Sequence, residues 1–180
     1  MDTISAFITL LFVMDPLGNV PIFLSVLKEV DARRRQWILA RELLIALVVL
    51  IIFLWFGGML LDLLGLKQES ISIAGAIILF LIAIRMIFPS PYGLLGETPE
   101  GEPFIVPLAI PMVAGPSALA ISVLLVSSDP ERMFDWTLAL VGAWAASAVL
   151  LMSAPLLLKA LGNRGLIAVE RLMGMILVII

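Results

Sequence analysis

Six apolar segments, separated by short polar connections, run along the chain. They cover residues 4–27, 43–64, 70–88, 104–126, 136–158 and 166–180. A helix needs about 20 apolar residues to cross a bilayer, and the first five segments are close to that length. The last segment is shorter, so we expect the chain to stop inside its last helix. The pattern predicts an all-α integral membrane protein with about six transmembrane helices.

Helix-breaking and polar residues interrupt the first segment at its centre, in the run Met14-Asp15-Pro16-Leu17-Gly18-Asn19-Val20-Pro21. Proline has no backbone N–H, so Pro16 removes the helical partner of the Phe12 carbonyl, and Pro21 removes that of the Leu17 carbonyl. Asp15 followed by Pro16 is a favoured helix start, with Asp15 as N-cap. We therefore expect this helix to be broken at mid-membrane, with helix breaks at Pro16 and Pro21.

The fourth segment contains a second interruption at its centre, Ala114-Gly115-Pro116-Ser117, and a further expected break at Pro111. Two proline-interrupted segments at corresponding places in two halves are typical of transporters built from inverted repeats. We expect a single membrane domain, with repeat one at about 1–88, a linker at about 89–103 and repeat two at about 104–180. The alternative is that Pro and Gly are simply commoner in membrane helices.

Composition narrows the chemistry further. Apolar residues make up 62% of the chain, and the mean hydropathy is +1.18. There is no cysteine and no histidine, which removes thiol nucleophiles, thiolate metal sites and imidazole acid–base chemistry. We expect no enzyme activity, no cofactor and no metal. The net charge of −3 argues against nucleic acid as a partner.

The basic residues indicate how the chain is oriented. Two connections carry most of them: Lys28, Arg33, Arg34, Arg35 and Arg41 in the first, and Lys159, Arg164 and Arg171 in the fifth. Loops rich in Lys and Arg face the cytoplasm. The pattern predicts that the N-terminus lies outside. Because three spans per half is an odd number, the two broken helices are expected to be antiparallel.

Candidate ligand-binding residues lie at the two interruptions. Asp15, Gly18 and Asn19 share one helical face by their spacing. An acid at mid-membrane is costly and usually functional, although Asp15 could act only as a helix cap. Asn19 could instead bridge two helices, and Gly18 could be a packing contact.

At the second break, Gly115, Pro116 and Ser117 begin a helix whose free N–H groups suit an anion. Alternatively, the Ser117 hydroxyl could bond to its own helix. An acid at one break and an anion-accepting helix start at the other would suit a small zwitterion.

Several of these motifs resemble those of the MarC family of bacterial inner-membrane proteins, and the details are closest to its YhgN-type branch. The matching runs are Met14 to Phe23, Ile73-Ala74-Gly75-Ala76, Arg85-Met86-Ile87-Phe88-Pro89, Phe104 to Pro116 and Glu170-Arg171-Leu172-Met173-Gly174. The resemblance implies six spans and a place in the lysine-exporter superfamily of transporters. It also implies a neutral amino acid transporter, since a branch of the family is assigned to glycine and alanine.

Two functions follow as expectations. The first is a secondary transporter, exporter or importer, of small neutral amino acids or similar small polar solutes. It would be driven by a gradient of a coupling ion such as H⁺ or Na⁺, or by the solute's own gradient. The second is an inner-membrane structural or assembly protein whose broken helices are only packing devices. The expected partners are the lipid bilayer and a small-molecule solute, and the sequence sets no oligomeric state.

Overall fold

The computed structural model describes residues 1–27, 30–65, 67–88 and 108–179. Within these ranges the regular structure is entirely helical, which confirms the predicted all-α class. The elements are α1 (Thr3–Met14), α2 (Pro16–Val26), α3 (Ala32–Leu63), α4 (Gln68–Ile87), a π-helical segment (Leu108–Val113), α5 (Pro116–Ser128), a 3-10 turn (Pro130–Arg132), α6 (Met133–Met152) and α7 (Ala154–Ile179). The predicted linker at 89–103 lies outside the described residues.

Three described stretches are long and apolar enough to cross a membrane, by length and composition: Thr3–Val20, Arg34–Leu63 and Pro130–Met152. Pro116–Ser128 is a shorter apolar helix. Large apolar side chains cover much of the outside of the bundle, including Phe12, Trp55 and Val149, each more than half exposed. An outer surface of this kind matches a protein that contacts lipid.

The second long helix begins earlier than the hydrophobic pattern predicted. α3 starts at Ala32 rather than near residue 43, so the expected basic loop around Arg34 and Arg35 is the first turn of a helix. The Arg35 N–H donates to the Asp31 carbonyl at 2.8 Å, which closes that turn. Arginine has a high helix propensity, so the charged residues at this position continue the helix rather than end it.

The boundary between the fifth and sixth segments also differs from the expectation. α6 ends at Met152, and α7 begins at Ala154 after a bend at Ser153. Pro155 has no N–H for the Leu151 carbonyl, which accounts for the bend. The predicted basic connection lies within α7, whose interruption is at Gly162, with φ 66° and ψ 174°. A positive φ of this kind favours glycine.

Pro21 does not break its helix, which corrects one predicted break. α2 runs without interruption from Pro16 to Val26, with Pro21 inside it. Membrane helices tolerate an internal proline, because neighbouring groups and small backbone adjustments satisfy the freed carbonyl.

α1 and α6 pack closely and run in the same direction. The guanidinium of Arg132, just before α6, donates to the Thr3 hydroxyl at 3.1 Å near the start of α1. Further along both helices, the Ser147 hydroxyl lies 3.7 Å from the Met14 sulfur. A small residue lies on the α6 side of this contact, because a Cβ added at Gly142 would come within 3.2 Å of Cδ2 of Phe7 on α1. Small residues let membrane helices approach closely.

The larger packing contacts join elements α1 to α4 to the elements that follow them in the chain. α1 packs against α6 and the π-helical segment packs against α3. α2 packs against α7 and α6, while α5 packs against α4 and α3. Two further contacts, α3 with α6 and α4 with α7, complete the set of larger interfaces between described elements.

The N-terminus and the connection between α5 and α6 lie together at one end of the bundle. Arg132 donates to the Met1 carbonyl at 2.8 Å and to the Asp135 carboxylate at 2.8 Å, and it stacks 4.6 Å above the ring of Trp136. Asp2 caps α1 by accepting the Ser5 N–H at 3.0 Å. Hydrogen bonds from the Ser5 side chain, and secondarily from the Ser5 N–H, hold the pKa of the exposed Asp2 carboxyl below its usual value of 3.8. The N-terminus and the connection between α5 and α6 therefore lie at the same end of the bundle.

The contact between α3 and α5 depends on a glycine. A Cβ added at Gly57 would lie 2.5 Å from Cγ2 of Val123, whereas one added to the neighbouring Gly58 would meet nothing within 4 Å. We expect Gly57→Ala to lower the free energy of unfolding by about 1–3 kcal/mol through overpacking. Gly58→Ala should instead raise it by up to about 1 kcal/mol, because alanine favours helix. Thermal unfolding of the two variants in detergent measures the difference, and equal midpoints would contradict this contact.

Candidate functional site at the two helix breaks

The first break separates α1 from α2 at a single residue, Asp15. Its backbone is left-handed, with φ 40° and ψ 60°. The Asp15 N–H donates to the Phe12 carbonyl at 3.1 Å, the carbonyl that Pro16 leaves without a helical donor. Asp15 is the non-glycine residue with positive φ in the described ranges. Aspartate tolerates this region better than most residues, and such strained positions are frequent at functional sites.

Asp15 also starts the second half-helix, as the sequence predicted. Its Oδ1 accepts the Gly18 N–H at 3.0 Å, and its carbonyl accepts the Asn19 N–H at 3.1 Å. Pro16 is the first residue of α2. The Asp15 side chain is buried, at 8% exposure. The carboxylate therefore acts as a helix cap inside the bundle.

The second break lies between the π-helical segment and α5. Within the segment, Ile110 is extended, with φ −128° and ψ 126°, as expected for the residue before a proline such as Pro111. The Ala114 N–H then reaches back to the Ala109 carbonyl at 2.9 Å. α5 begins with Gly115 as N-cap and Pro116 as first residue. Both interruptions thus end in a cap followed by a proline.

Asn19 joins the two breaks. Its Nδ2 donates to the Met14 carbonyl at 2.9 Å and to the Met112 carbonyl at 3.1 Å. In a continuous helix, Met112 would bond to the N–H of residue 116, which is proline. The Met14 carbonyl would accept the N–H of Gly18, but that N–H donates instead to the Asp15 carboxylate. One buried amide therefore satisfies two carbonyls that the breaks release.

A cavity of about 170 Å³ lies beside the Asp15 carboxylate. Apart from Asp15, apolar side chains from both sides of the break and from α6 and α7 line it: Leu11, Phe12, Pro16, Leu17, Leu150 and Met173. Pockets that hold drug-sized ligands are larger, at about 300–1,000 Å³. The space next to the buried acid fits only a small molecule.

The remaining predicted residues occupy different positions. Gly18 is buried within α2, where its N–H is used by the cap. Gly115, Pro116 and Ser117 are half-buried at the start of α5, and they are not among the lining residues of the Asp15 cavity. The hydrogen bond from Asn19 to Met112 therefore brings the two breaks together, but the cavity belongs to the first break.

One buried acid was overlooked in the sequence. Glu42 on α3 has no exposed surface, and Arg41 donates to its Oε1 from Nη2 at 2.6 Å and from Nε at 2.9 Å. The Arg41 guanidinium in turn lies 5.2 Å from the centre of the Trp37 ring. The sequence does contain a pattern that indicates burial of Glu42. This residue lies four positions from Ile38 and four from Ala46, on the same apolar stripe of the helix.

The described residues contain no group of three acids that could hold a metal ion. What they contain is a single capped acid beside a small apolar cavity, at the point where two interrupted helices meet. The long apolar helices and their lipid-facing surface define a polytopic helical membrane protein.

The chain belongs to the MarC family of integral membrane proteins, since the family's model matches residues 2–180. This confirms the resemblance carried by the sequence motifs. The UPF0056 inner membrane protein YhgN of Escherichia coli K12 is 53% identical over 98% of this chain and 90% of its own length.

More distant relatives match over similar lengths. A UPF0056 membrane protein of Buchnera aphidicola from Schizaphis graminum is 50% identical over 99% of this chain and 91% of its own. One from Chlamydia muridarum is 33% identical over 93% and 83%. No solved structure matches the chain.

Proposed function

We propose that the protein is a secondary transporter, exporter or importer, of small neutral amino acids or similar small polar solutes across the bacterial inner membrane. The observation that carries the proposal is the buried Asp15 carboxylate beside a small cavity at a broken helix. Ionisable groups within membrane segments are rare, and they usually mark ion or substrate paths. A gradient of H⁺ or Na⁺ would supply the energy.

The packing pattern supports two inverted repeats, 1–88 and 104–180. In two such repeats, α1 corresponds to the π-helical segment, α2 to α5, α3 to α6, and α4 to α7. If corresponding elements are exchanged, the set of larger contacts between α1 to α4 and the later elements does not change. The α1–α6 contact then corresponds to the contact of the π-helical segment with α3, the α2–α7 contact to α5–α4, and the α2–α6 contact to α5–α3. The α3–α6 and α4–α7 contacts correspond to themselves. Transporters built from inverted repeats place their substrate sites where interrupted helices meet. Alternating access would then move one repeat against the other about the Asn19 hydrogen bonds.

Orientation can be tested with single cysteines, because the chain has none of its own. We expect Glu131→Cys to be labelled from outside intact cells by an impermeant thiol reagent, because it lies at the same end as the N-terminus. We expect Ala32→Cys, at the start of the basic helix α3, to be labelled only after the membrane is opened. Labelling of Ala32→Cys from outside would contradict the proposed topology.

Transport itself is tested with purified protein in proteoliposomes. We expect saturable uptake of radiolabelled glycine or alanine that depends on the protein and responds to an imposed H⁺ or Na⁺ gradient. Uptake of serine, lysine and glutamate, measured in the same way, tests whether small neutral solutes are preferred. Absence of uptake for every solute, under either gradient and in either direction, would remove the transporter proposal.

The alternative is a structural or assembly protein of the inner membrane, and the Asn19 bridge favours it. Asn19 satisfies one backbone carbonyl of each break without any ligand, as a packing device would. This function predicts no uptake, together with a loss of membrane-protein partners when Asn19 is replaced. The uptake assay separates the two functions directly.

A further inference from the structure

The cavity beside Asp15 has an unusual combination of lining groups. Among the lining residues that the structure describes, Asp15 has the one charged side chain and the others are apolar. These described lining residues include no Lys, no Arg and no hydroxyl side chain. The backbone N–H of Gly18, three residues after the acid, is already bound to Asp15 Oδ1 at 3.0 Å. The described lining side chains thus offer an acceptor for a cation and apolar walls, and no positive charge for an anion.

We propose that this cavity binds the ammonium group of a small organic amine, with the apolar remainder of the amine against Leu11, Leu17 and Leu150. This inference rests on the proposed function, and it names the chemical class that the Asp15 site recognises. An ammonium both neutralises the buried carboxylate and donates to its oxygens. A carboxylate on the ligand is not required, so a simple alkylamine meets all the contacts that the cavity offers.

Size limits the ligand. A cavity of about 170 Å³ holds about five or six non-hydrogen atoms at about 30 Å³ each, the share of a water in the liquid. Ethylammonium and propylammonium fall below this limit, and alanine lies at it. Tetraethylammonium exceeds it and has no N–H to donate, so it satisfies neither requirement.

Phe12 sets the outer wall of the cavity. Its side chain is 52% exposed on the apolar surface of the bundle while also lining the cavity. The Phe12 ring therefore lies between the cavity and the lipid-facing side. Replacing this ring with a smaller side chain enlarges the cavity without touching Asp15, and this should extend the accepted amines to longer chains.

The test uses the purified full chain, in detergent for calorimetry and in proteoliposomes for uptake, with ethylammonium, propionate and tetraethylammonium as probes. Calorimetry measures binding, and inhibition of alanine uptake measures occupancy of the transport site. We expect ethylammonium to bind and to inhibit, and the other two probes to do neither. Asp15→Asn should weaken ethylammonium binding by about tenfold or more, as expected when a charged hydrogen-bond partner is lost.

The control is Asp62→Asn, which removes an exposed acid near the end of α3, outside the cavity. It should leave ethylammonium binding unchanged. Phe12→Ala is the second variant, and it should bind hexylammonium more tightly than the unsubstituted protein does. Size-exclusion chromatography confirms that each variant is folded.

Failure of this inference is distinct from failure of the proposed function. If alanine is transported but ethylammonium neither binds nor inhibits, the amine inference is wrong and transport stands. If ethylammonium binds in an Asp15-dependent way but nothing is transported, the binding site stands and the transporter proposal falls. Equal binding of propionate would overturn the inference, because the cavity would then accept an anion.

Discussion

The Asp15→Asn variant is expected to keep the fold and to lose most solute transport. Asparagine caps helices about as well as aspartate and tolerates positive φ, so its side-chain oxygen can still accept the Gly18 N–H. It cannot pair with a cation as a carboxylate does. A hydrogen bond to a charged group contributes about 1.5–3 kcal/mol, so KM for alanine should rise about 10- to 100-fold. Initial uptake rates in proteoliposomes measure this.

Asp15→Ala separates the two roles of this residue. Alanine loses the cap and is strained at φ 40°, so the free energy of unfolding should fall by about 1–3 kcal/mol. The Asp15→Asn variant should unfold at nearly the temperature of the unsubstituted protein. If Asp15→Asn transports alanine with unchanged KM and rate, Asp15 is a structural cap and the site lies elsewhere.

Asn19→Leu is expected to destabilise the whole bundle, because it removes the hydrogen bond to Met112 that joins the two breaks, together with the one to Met14 within the first break. Leucine is similar in size, so the packing volume changes little while two buried carbonyls lose their donor. Hydrogen bonds within membrane proteins contribute about 0.6–2 kcal/mol each, so the free energy of unfolding should fall by about 1–3 kcal/mol. Thermal unfolding in detergent measures this loss.

Ser122→Ala is the matched control for a buried polar group. The Ser122 hydroxyl has no exposed surface and donates only to the Ala118 carbonyl of its own helix, at 2.7 Å. That carbonyl keeps a helical donor, so the substitution should change stability little. If Asn19→Leu and Ser122→Ala have the same small effect, the bridge between the two breaks does not hold the bundle together.

The positions of the two breaks follow from local chemistry, and the sequence predicted them. Pro16 and Pro116 lack an N–H, and Asp15 and Gly115 are residues that precede helix starts. These rules involve neighbours within about one turn, so they need no tertiary structure. The same local rules failed at Pro21, where α2 continues. Whether a carbonyl without its helical donor ends a helix depends on the groups packed around it. Those groups come from neighbouring helices that are distant in the sequence.

The helix boundaries show a related limit. Hydropathy placed the start of α3 near residue 43, because the basic turn and Glu42 are polar. The helix begins at Ala32, since helix propensity does not follow hydropathy and the charged side chains pair with one another.

The sequence by itself determined the membrane class, the family, the breaks and the buried acid, since each is written in composition, in long motifs or in the absence of a backbone donor. Only the tertiary structure decided what these residues do together. Asn19 donates a hydrogen bond to Met112, 93 positions away in the chain, and Leu150 and Met173 from α6 and α7 help to line the Asp15 cavity. Such contacts depend on how helices far apart in the chain pack, and side-chain spacing within one helix does not encode that packing.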